Sequence, residues 1–373
     1  MHTCSHIRAI LLYLPNPLGT ASGSRSCTLP SFRRLRQNRR QYKVRAQTEQ
    51  AEEVDPITGM PVPKFAATNP ESGLKVKVGN MQWAYRQSEV PSGKSDPYKP
   101  AVLLLHGIGS SSFCWRNTLG LLGADGYEAY APDFPGHGDS DKPSKNTFGY
   151  TEEEFVAGLD GFVEAVGIKK PMALVVQGYV LSQYGLLWAA QNEDKVARLM
   201  ILNTPLSLGS KLRPDLAAFK NPIPFLRPKS FDGALFNADG LAYVMEGKVA
   251  AAYARPYQDP AALEALSTTL EKLDFQKLLN KVDDMYGSWK QPSIVVFGSS
   301  DPFLKVNSAF EFLDTKRTNM KVIGQKAKMG AMPQEDYAEA VHGTMIPFLE
   351  GATDVWVSGK MMKMTNKGGV EVD

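Results

Sequence analysis

The sequence predicts an α/β fold: an eight-stranded, mostly parallel sheet with helices on both faces and a helical cap. Three observations predict it. Short apolar runs such as 101–105 (AVLLL) and 172–176 (MALVV) alternate with helix-period segments, as a sheet covered on both faces requires. The alternation stops from Pro205 to about Lys290, where Pro-rich loops and helical stretches carry no strand pattern. Strands then return at 293–297 and 320–323, so the helical stretch is an insertion. Such an insertion caps the carboxyl edge of the sheet, where ligands bind in folds of this kind.

The elements follow in order. Residues 74–89 read as one or two strands, 101–105 as a buried strand ending at His106-Gly107, and 127–132 as another. A helix is predicted over 151–166, because Thr151 and Glu154 stand as a capping box and Phe155, Leu159, Phe162, Val163 and Val166 share one face. The strand at 172–176 leads into a helix at 182–191, then a strand at 196–202. A final helix is predicted over 335–349. The core therefore comprises 73–204 and 291–350, with the cap at 205–290. Residues 46–72 are polar and proline-bearing and read as a linker, and 351–373 read as a flexible tail.

Composition bounds the function. The 373 residues are 43% hydrophobic and 22% charged, which suits one large domain with an inserted part. The net charge of +3 hides an uneven distribution. Residues 1–48 contain no Asp or Glu but carry nine basic residues, all at or before Arg45. That profile, rich in Ser, Thr and Pro, is expected of an organelle transit peptide over 1–45. Val44-Arg45-Ala46 resembles a chloroplast processing site; a mitochondrial presequence is the alternative. Without those nine, 33 basic residues face 39 acidic ones, which gives no electrostatic case for nucleic acid. No apolar run reaches the roughly 18 residues needed to span a bilayer, so a soluble body is expected. Beyond residue 45 only Cys114 remains of the three cysteines. No His/Cys/Asp cluster has metal-ligand spacing and no phosphate loop is present, so no cofactor is expected.

Four ordered motifs carry a family resemblance. Leu-Leu-Leu-His106-Gly107-Ile108 through Trp115-Arg116 resembles the oxyanion loop of the haloalkane dehalogenase and epoxide hydrolase branch of α/β-hydrolases. Pro132-Asp133-Phe134-Pro135-Gly136-His137-Gly138 through Pro143 is similar to that branch's next turn. Val-Val-Phe-Gly298-Ser-Ser-Asp301-Pro302-Phe303 resembles the strand that delivers the acid, and Gly330-Ala331-Met332-Pro333-Gln334-Glu335-Asp336 the loop that delivers the base. The resemblance spans about 74–349.

It implies a nucleophile on a tight strand-to-helix turn, a histidine that moves protons, and a carboxylate that orients the histidine. The chain departs from this at two of the three places. Where the dehalogenase turn reads Val-Gln-Asp-Trp-Gly-Gly, this one reads Val176-Gln177-Gly178-Tyr179-Val180-Leu181, so the attacking side chain is absent. Ala331 stands where the histidine belongs. Of five histidines, His2 and His6 lie in the presequence, His106 and His137 belong to structural turns, and His342 lies on the final helix. Ser182, four residues past Gly178, reads as a helix-start serine rather than a substitute nucleophile. Asp301 keeps the acid position, where it is a loop cap, an orienter left without its histidine, or an independent base. Gly178 takes strained angles freely, so a relaxed turn is expected. The resemblance places Gly107, Ile108, Tyr179 and Trp115 around a ligand, with the Ile108 and Tyr179 N–H groups as an oxyanion hole.

Three functions remain open at this point. One is a non-catalytic chloroplast homologue that binds a small apolar or carbonyl-bearing ligand or a protein partner. Another is a hydrolase or lyase using non-standard residues such as Asp301. The third is a structural or assembly protein whose pocket is filled by its own side chains.

Overall fold

The computed structural model describes residues 73–313, 317, 319–325, 328–351, 359–364 and 370–372. The expected transit peptide and linker, 1–45 and 46–72, lie outside the described residues. A hairpin of β1 (Leu74–Val78) and β2 (Met81–Gln87) leads into six mutually parallel strands: β3 (Val102–Leu105), β4 (Ala129–Pro132), β5 (Met172–Gln177), β6 (Val196–Leu202), β7 (Ser293–Phe297) and β8 (Met320–Gln325). With β2 antiparallel to β4, these are the eight expected strands.

Within 351–373, where the sequence suggests a flexible tail, two further strands occur. β9 (Gly359–Met364) pairs antiparallel with β8, from Ile323↔Met361 to Gln325↔Gly359, and β10 (Val370–Val372) pairs with β9. The sheet order is β1-β2-β4-β3-β5-β6-β7-β8-β9-β10. The outer edge of β8 offers unpaired backbone groups that any extended segment can satisfy without an apolar run of its own. That is why composition gave no warning of these strands.

Helices α1 (Arg116–Ala124), α2 (Glu152–Val166) and α3 (Leu181–Gln191) connect the early strands. The insertion between β6 and β7 holds α4 (Pro214–Ala217), α5 (Gly233–Ala238), α6 (Gly247–Ala254), α7 (Pro260–Lys272) and α8 (Phe275–Tyr286), with no strand among the described residues. α9 (Asn307–Leu313), α10 (Pro333–Asp336) and α11 (Ala338–Leu349) follow β7 and β8, ahead of β9 and β10. α2 starts as predicted: the Glu154 N–H donates to Thr151 Oγ1 at 3.4 Å and the Thr151 N–H to the Glu154 carboxylate at 3.2 Å. The single final helix expected over 335–349 is instead two, because Tyr337 is extended at φ −158° between α10 and α11.

Strand alternation sorts the core onto two faces. Leu103, Leu105, Leu174, Val176 and Ile201 pack with Phe155, Phe162 and Leu186 of α2 and α3. Val102, Leu104, Ala173, Val175 and Met200 pack with Leu119, Leu122, Val341 and Phe348 of α1 and α11. The carboxyl ends of β3, β4, β7 and β8 bring the four sequence motifs to one edge, beneath the cap, together with the turn that follows β5.

Candidate active site

The strand-to-helix turn after β5 is the centre of this edge. Gly178 takes φ +98°, and a Cβ placed there would lie 3.0 Å from the Gly107 Cα. The reverse approach is closer still, since a Cβ on Gly107 would meet the Tyr179 nitrogen at 2.7 Å. The two loops touch backbone to backbone, which explains a glycine at both positions.

The relaxed turn expected from Gly178 is not what forms. Val180 sits at φ 66°, ψ −70°, and the Leu181 N–H donates to the Tyr179 carbonyl at 2.9 Å. This is a γ-turn with a positive central φ, rare for any residue and worse for a β-branched one. Such a conformation costs about 1–3 kcal/mol. The strain sits two residues past the attacking position, on a fully buried valine. Ser182 is equally buried, and its hydroxyl donates to the Gly178 carbonyl at 2.5 Å, so it braces the turn from behind.

The oxyanion hole expected from Ile108 and Tyr179 is not open. The Ile108 N–H donates to the Tyr179 carbonyl at 2.8 Å, which removes one of its two donors. Trp115, also placed near the ligand by resemblance, belongs to the opposite face. It ends a 3₁₀ turn (Ser112–Trp115) and packs with Phe113, Leu119 and Leu122, away from Ile108 and Tyr179.

Asp301 follows β7 and is buried. Its Oδ1 accepts the N–H groups of Phe303 (2.8 Å) and Leu304 (3.0 Å), and its Oδ2 accepts Asn203 Nδ2 at 3.0 Å. Burial raises its pKa; the Phe303 and Leu304 amides, Asn203 and the Arg213 charge act against that shift. Both oxygens are therefore engaged in holding the loop. Asn203, at φ 33° after β6, completes the link, since its Oδ1 accepts the Gly298 N–H at 2.7 Å.

Ala331 lies under the cap. Its N–H donates to the Gly240 carbonyl at 2.7 Å, and its carbonyl accepts Gln177 Nε2 at 2.7 Å. A Cβ on Gly240 would come within 3.1 Å of the Ala331 methyl, so the cap loop packs closely on this position. The histidines are engaged elsewhere. His106 and His137 are fully buried, and burial lowers their pKa values to about 4 and about 3, so both rings are neutral at physiological pH. His342 Nε2 meets Asp125 Oδ2 at 2.7 Å, joining α11 to the end of α1. Asp133 is a turn former, accepting the Ser112 N–H at 2.6 Å and the Asp139 N–H at 2.8 Å.

Two residues dominate the polar character here: Arg213, which sequence reasoning missed, and Tyr179, which the resemblance places near a ligand. The Arg213 guanidinium is buried and sandwiched between the Phe236 and Phe303 rings, at 3.8 and 3.9 Å from their centroids. Its Nη2 donates to the Phe236 carbonyl at 2.9 Å, while Nε has no partner among the described residues. The Tyr179 hydroxyl is also buried and unpartnered there, and its ring stacks on Phe275. Burial foremost, then the Asp301 charge, raises the Tyr179 pKa, and Arg213 acts in the opposite sense. Asn237 donates to the Gly109 carbonyl at 2.9 Å, and Phe236 and Phe231 crowd Gly109.

Two carboxylates fasten the cap, the Glu335 side chain buried and Asp336 half-buried. Glu335 receives both Arg116 Nη groups, at 2.7 and 2.5 Å, and the Tyr253 hydroxyl at 2.6 Å. Asp336 accepts the N–H groups of Ala242 (2.9 Å), Tyr243 (3.3 Å) and Gly330 (2.6 Å). Burial lifts the Asp336 pKa to about 6 in spite of those donors. A cavity of about 210 Å³ lies apart from this site, between the 111–113 and 133–139 turns and α6.

A doubly covered parallel sheet, capped, with a strand-to-helix turn, an acid loop and a base loop at its carboxyl edge, defines a hydrolase-type α/β protein. The model of the alpha/beta hydrolase family matches residues 102–343, and the chain belongs to that family. It is 29% identical over 226 residues to a haloalkane dehalogenase of Mycobacterium marinum, covering 59% of this chain and 74% of the relative. A haloalkane dehalogenase of Psychrobacter cryohalolentis is 27% identical over 263 residues, covering 66% of this chain and 82% of the relative. The crystal structure of the haloalkane dehalogenase DbeA from Bradyrhizobium elkani superposes with a TM-score of 0.61 at 21% identity, covering 75% of this chain and 98% of that one. No helix among the described residues is long and apolar enough to cross a membrane.

Proposed function

We propose that this chain is a catalytically silent α/β-hydrolase of the chloroplast that acts by binding rather than by turnover. One observation carries the reading: at the turn where Gly178 replaces the attacking residue, the Ile108 amide is bonded to the Tyr179 carbonyl instead of facing a substrate oxygen. Neither attack nor two-donor oxyanion stabilisation is then available. Asp301 as an independent base has less support, because both its oxygens hold its own loop and Asn203.

The groups left to recognise a ligand are the Tyr179 hydroxyl and Arg213 Nε, donors that suit a small molecule with a carbonyl or carboxylate oxygen and an apolar body. A second reading, a structural protein with a self-filled pocket, is favoured by Phe236 and Phe231 over Gly109 and by the cap loop on Ala331. Mass spectrometry of small molecules retained by the purified protein separates the two. A specific carbonyl or carboxylate species, lost in Arg213→Met and Tyr179→Phe, supports binding. No retained species, with no thermal shift from added carboxylates, supports the structural reading. Turnover of haloalkane, epoxide or ester at the rate of an intact relative overturns both. The absence of acidic residues through position 48 supports the chloroplast, which import of a 1–45 fusion tests.

A further inference from the structure

The cap carries a surface feature that its role as a lid does not explain. Five consecutive apolar residues, Pro222, Ile223, Pro224, Phe225 and Leu226, are all exposed, Phe225 at 74% and Leu226 at 54%. Scattered apolar residues on a surface need no explanation, but a contiguous run displayed to water marks a contact surface. The run is held out by its base. On one side the Lys220 ammonium donates to the Leu270 carbonyl at 2.8 Å and to that of Leu273, at the end of α7. On the other, Arg227 Nε donates to the Asn221 carbonyl at 2.8 Å, closing the loop, while the same guanidinium pairs with Glu271.

The N–H groups of the loop are nearly all satisfied or missing, while the carbonyls of Pro222, Phe225 and Leu226 accept no bond among the described residues. Pro222 and Pro224 have no N–H. The Ile223 N–H donates to Asn221 Oδ1 at 2.9 Å, the Leu226 N–H to the Ile223 carbonyl at 3.0 Å and the Arg227 N–H to the Pro224 carbonyl at 3.2 Å. From 222 to 227 only Phe225 has an N–H without a partner among the described residues. Water would satisfy such groups and a protein groove could supply acceptors, but hydrocarbon supplies none. The flanking charge fits as well. Residues 216–231 hold Lys220, Arg227 and Lys229 and no Asp or Glu. Glu271 and Asp274 face Lys220 from α7 and the start of α8, while Lys229 is exposed and has no ion pair among the described residues.

We propose that the 222–226 loop docks the protein on an anionic lipid surface, with Phe225 and Leu226 among the acyl chains and the flanking cations at the headgroups. The test uses the full chain and vesicles of phosphatidylglycerol and phosphatidylcholine with brominated acyl chains. In Phe225→Trp the introduced indole is quenched beyond the native tryptophans of the wild type. Phe225→Ser/Leu226→Ser lowers vesicle partitioning by about tenfold or more, and binding weakens on pure phosphatidylcholine. An unquenched indole on a chain that still sediments with vesicles places the contact elsewhere and overturns the proposal. So does unchanged partitioning of the double-serine variant. A dimer in sedimentation velocity that the double-serine variant dissociates makes the loop an interface between copies, which also overturns it.

Discussion

Putting the two missing side chains back should not restore an enzyme. In Gly178→Asp/Ala331→His the new carboxylate starts from φ +98° with its Cβ 3.0 Å from the Gly107 Cα. The left-handed conformation costs an L-residue roughly 1–2 kcal/mol. The imidazole is added beside a closely packed cap loop, where a Cβ on Gly240 would lie 3.1 Å from Ala331 and 3.7 Å from Arg213 Nη1. Overpacking of that kind costs about 1–3 kcal/mol. Together, at about 2–5 kcal/mol, the changes should lower Tm by roughly 4–20 °C, at about 2–4 °C per kcal/mol. Chemistry still lacks the Ile108 donor, and one such donor is worth about 10²–10³ in kcat. Halide release from haloalkanes should therefore stay at or below roughly a hundredth of an intact relative's kcat. The assay is halide release at saturating substrate, alongside a thermal melt of the same preparation. Release within tenfold of the relative, at unchanged Tm, would refute the reasoning, because it would mean that the Ile108–Tyr179 bond and the cap loop yield at no cost.

The remaining predictions concern the cap's fastenings. Arg116→Met leaves Glu335 buried without its cation and should lower stability by about 3–5 kcal/mol in urea unfolding, whereas Tyr253→Phe, which removes one hydrogen bond to that carboxylate, should cost about 1.5–3 kcal/mol. Asp336 has a folded pKa of about 6, above the unfolded value of 3.8, so the folded state holds the extra proton between those values. Its contribution to stability therefore falls as pH rises from about 4 to about 6 and is flat outside that window, by up to about 3 kcal/mol. The stability difference between wild type and Asp336→Asn, measured across pH 3–8, should show this slope; a difference independent of pH would remove it.

Much of this architecture is legible in the residues. Continuous apolar runs give the buried strands, Thr151 and Glu154 give the start of α2, and the loss of strand pattern after Pro205 gives the cap. Gly178 and Ala331 are legible because side-chain chemistry is written in the letters. What escapes is chemistry that lives in the backbone or in tertiary contact. The Ile108 amide is identical in every residue type except proline, so no letter announces that Tyr179 takes it. Arg213 lies in the insertion, where no motif fixes register, and the two phenylalanines that sandwich it are 23 and 90 residues away in sequence. Trp115 misleads for a related reason: its motif places it near the ligand, but the 3₁₀ turn from Ser112 aims it at the opposite face.

The strain at Val180 bears on how such turns should be read. Backbone strain at a strand-to-helix elbow is usually taken as a mark of catalysis, since function is what keeps an unfavourable conformation. Here the attacking position is a glycine, which takes φ +98° without penalty, yet a second positive φ persists two residues on at a valine. The neighbours show what enforces it. Leu181 and Ser182 are fully buried at the start of α3, the Ser182 hydroxyl is tied to the Gly178 carbonyl, and the Tyr184 N–H is bonded to the Val180 carbonyl at 3.0 Å. Reversing β5 into a helix whose first turn is wholly buried demands a sharp backbone turn within three residues. Packing, not a nucleophile, holds Val180 in place. At this elbow the strain belongs to the fold.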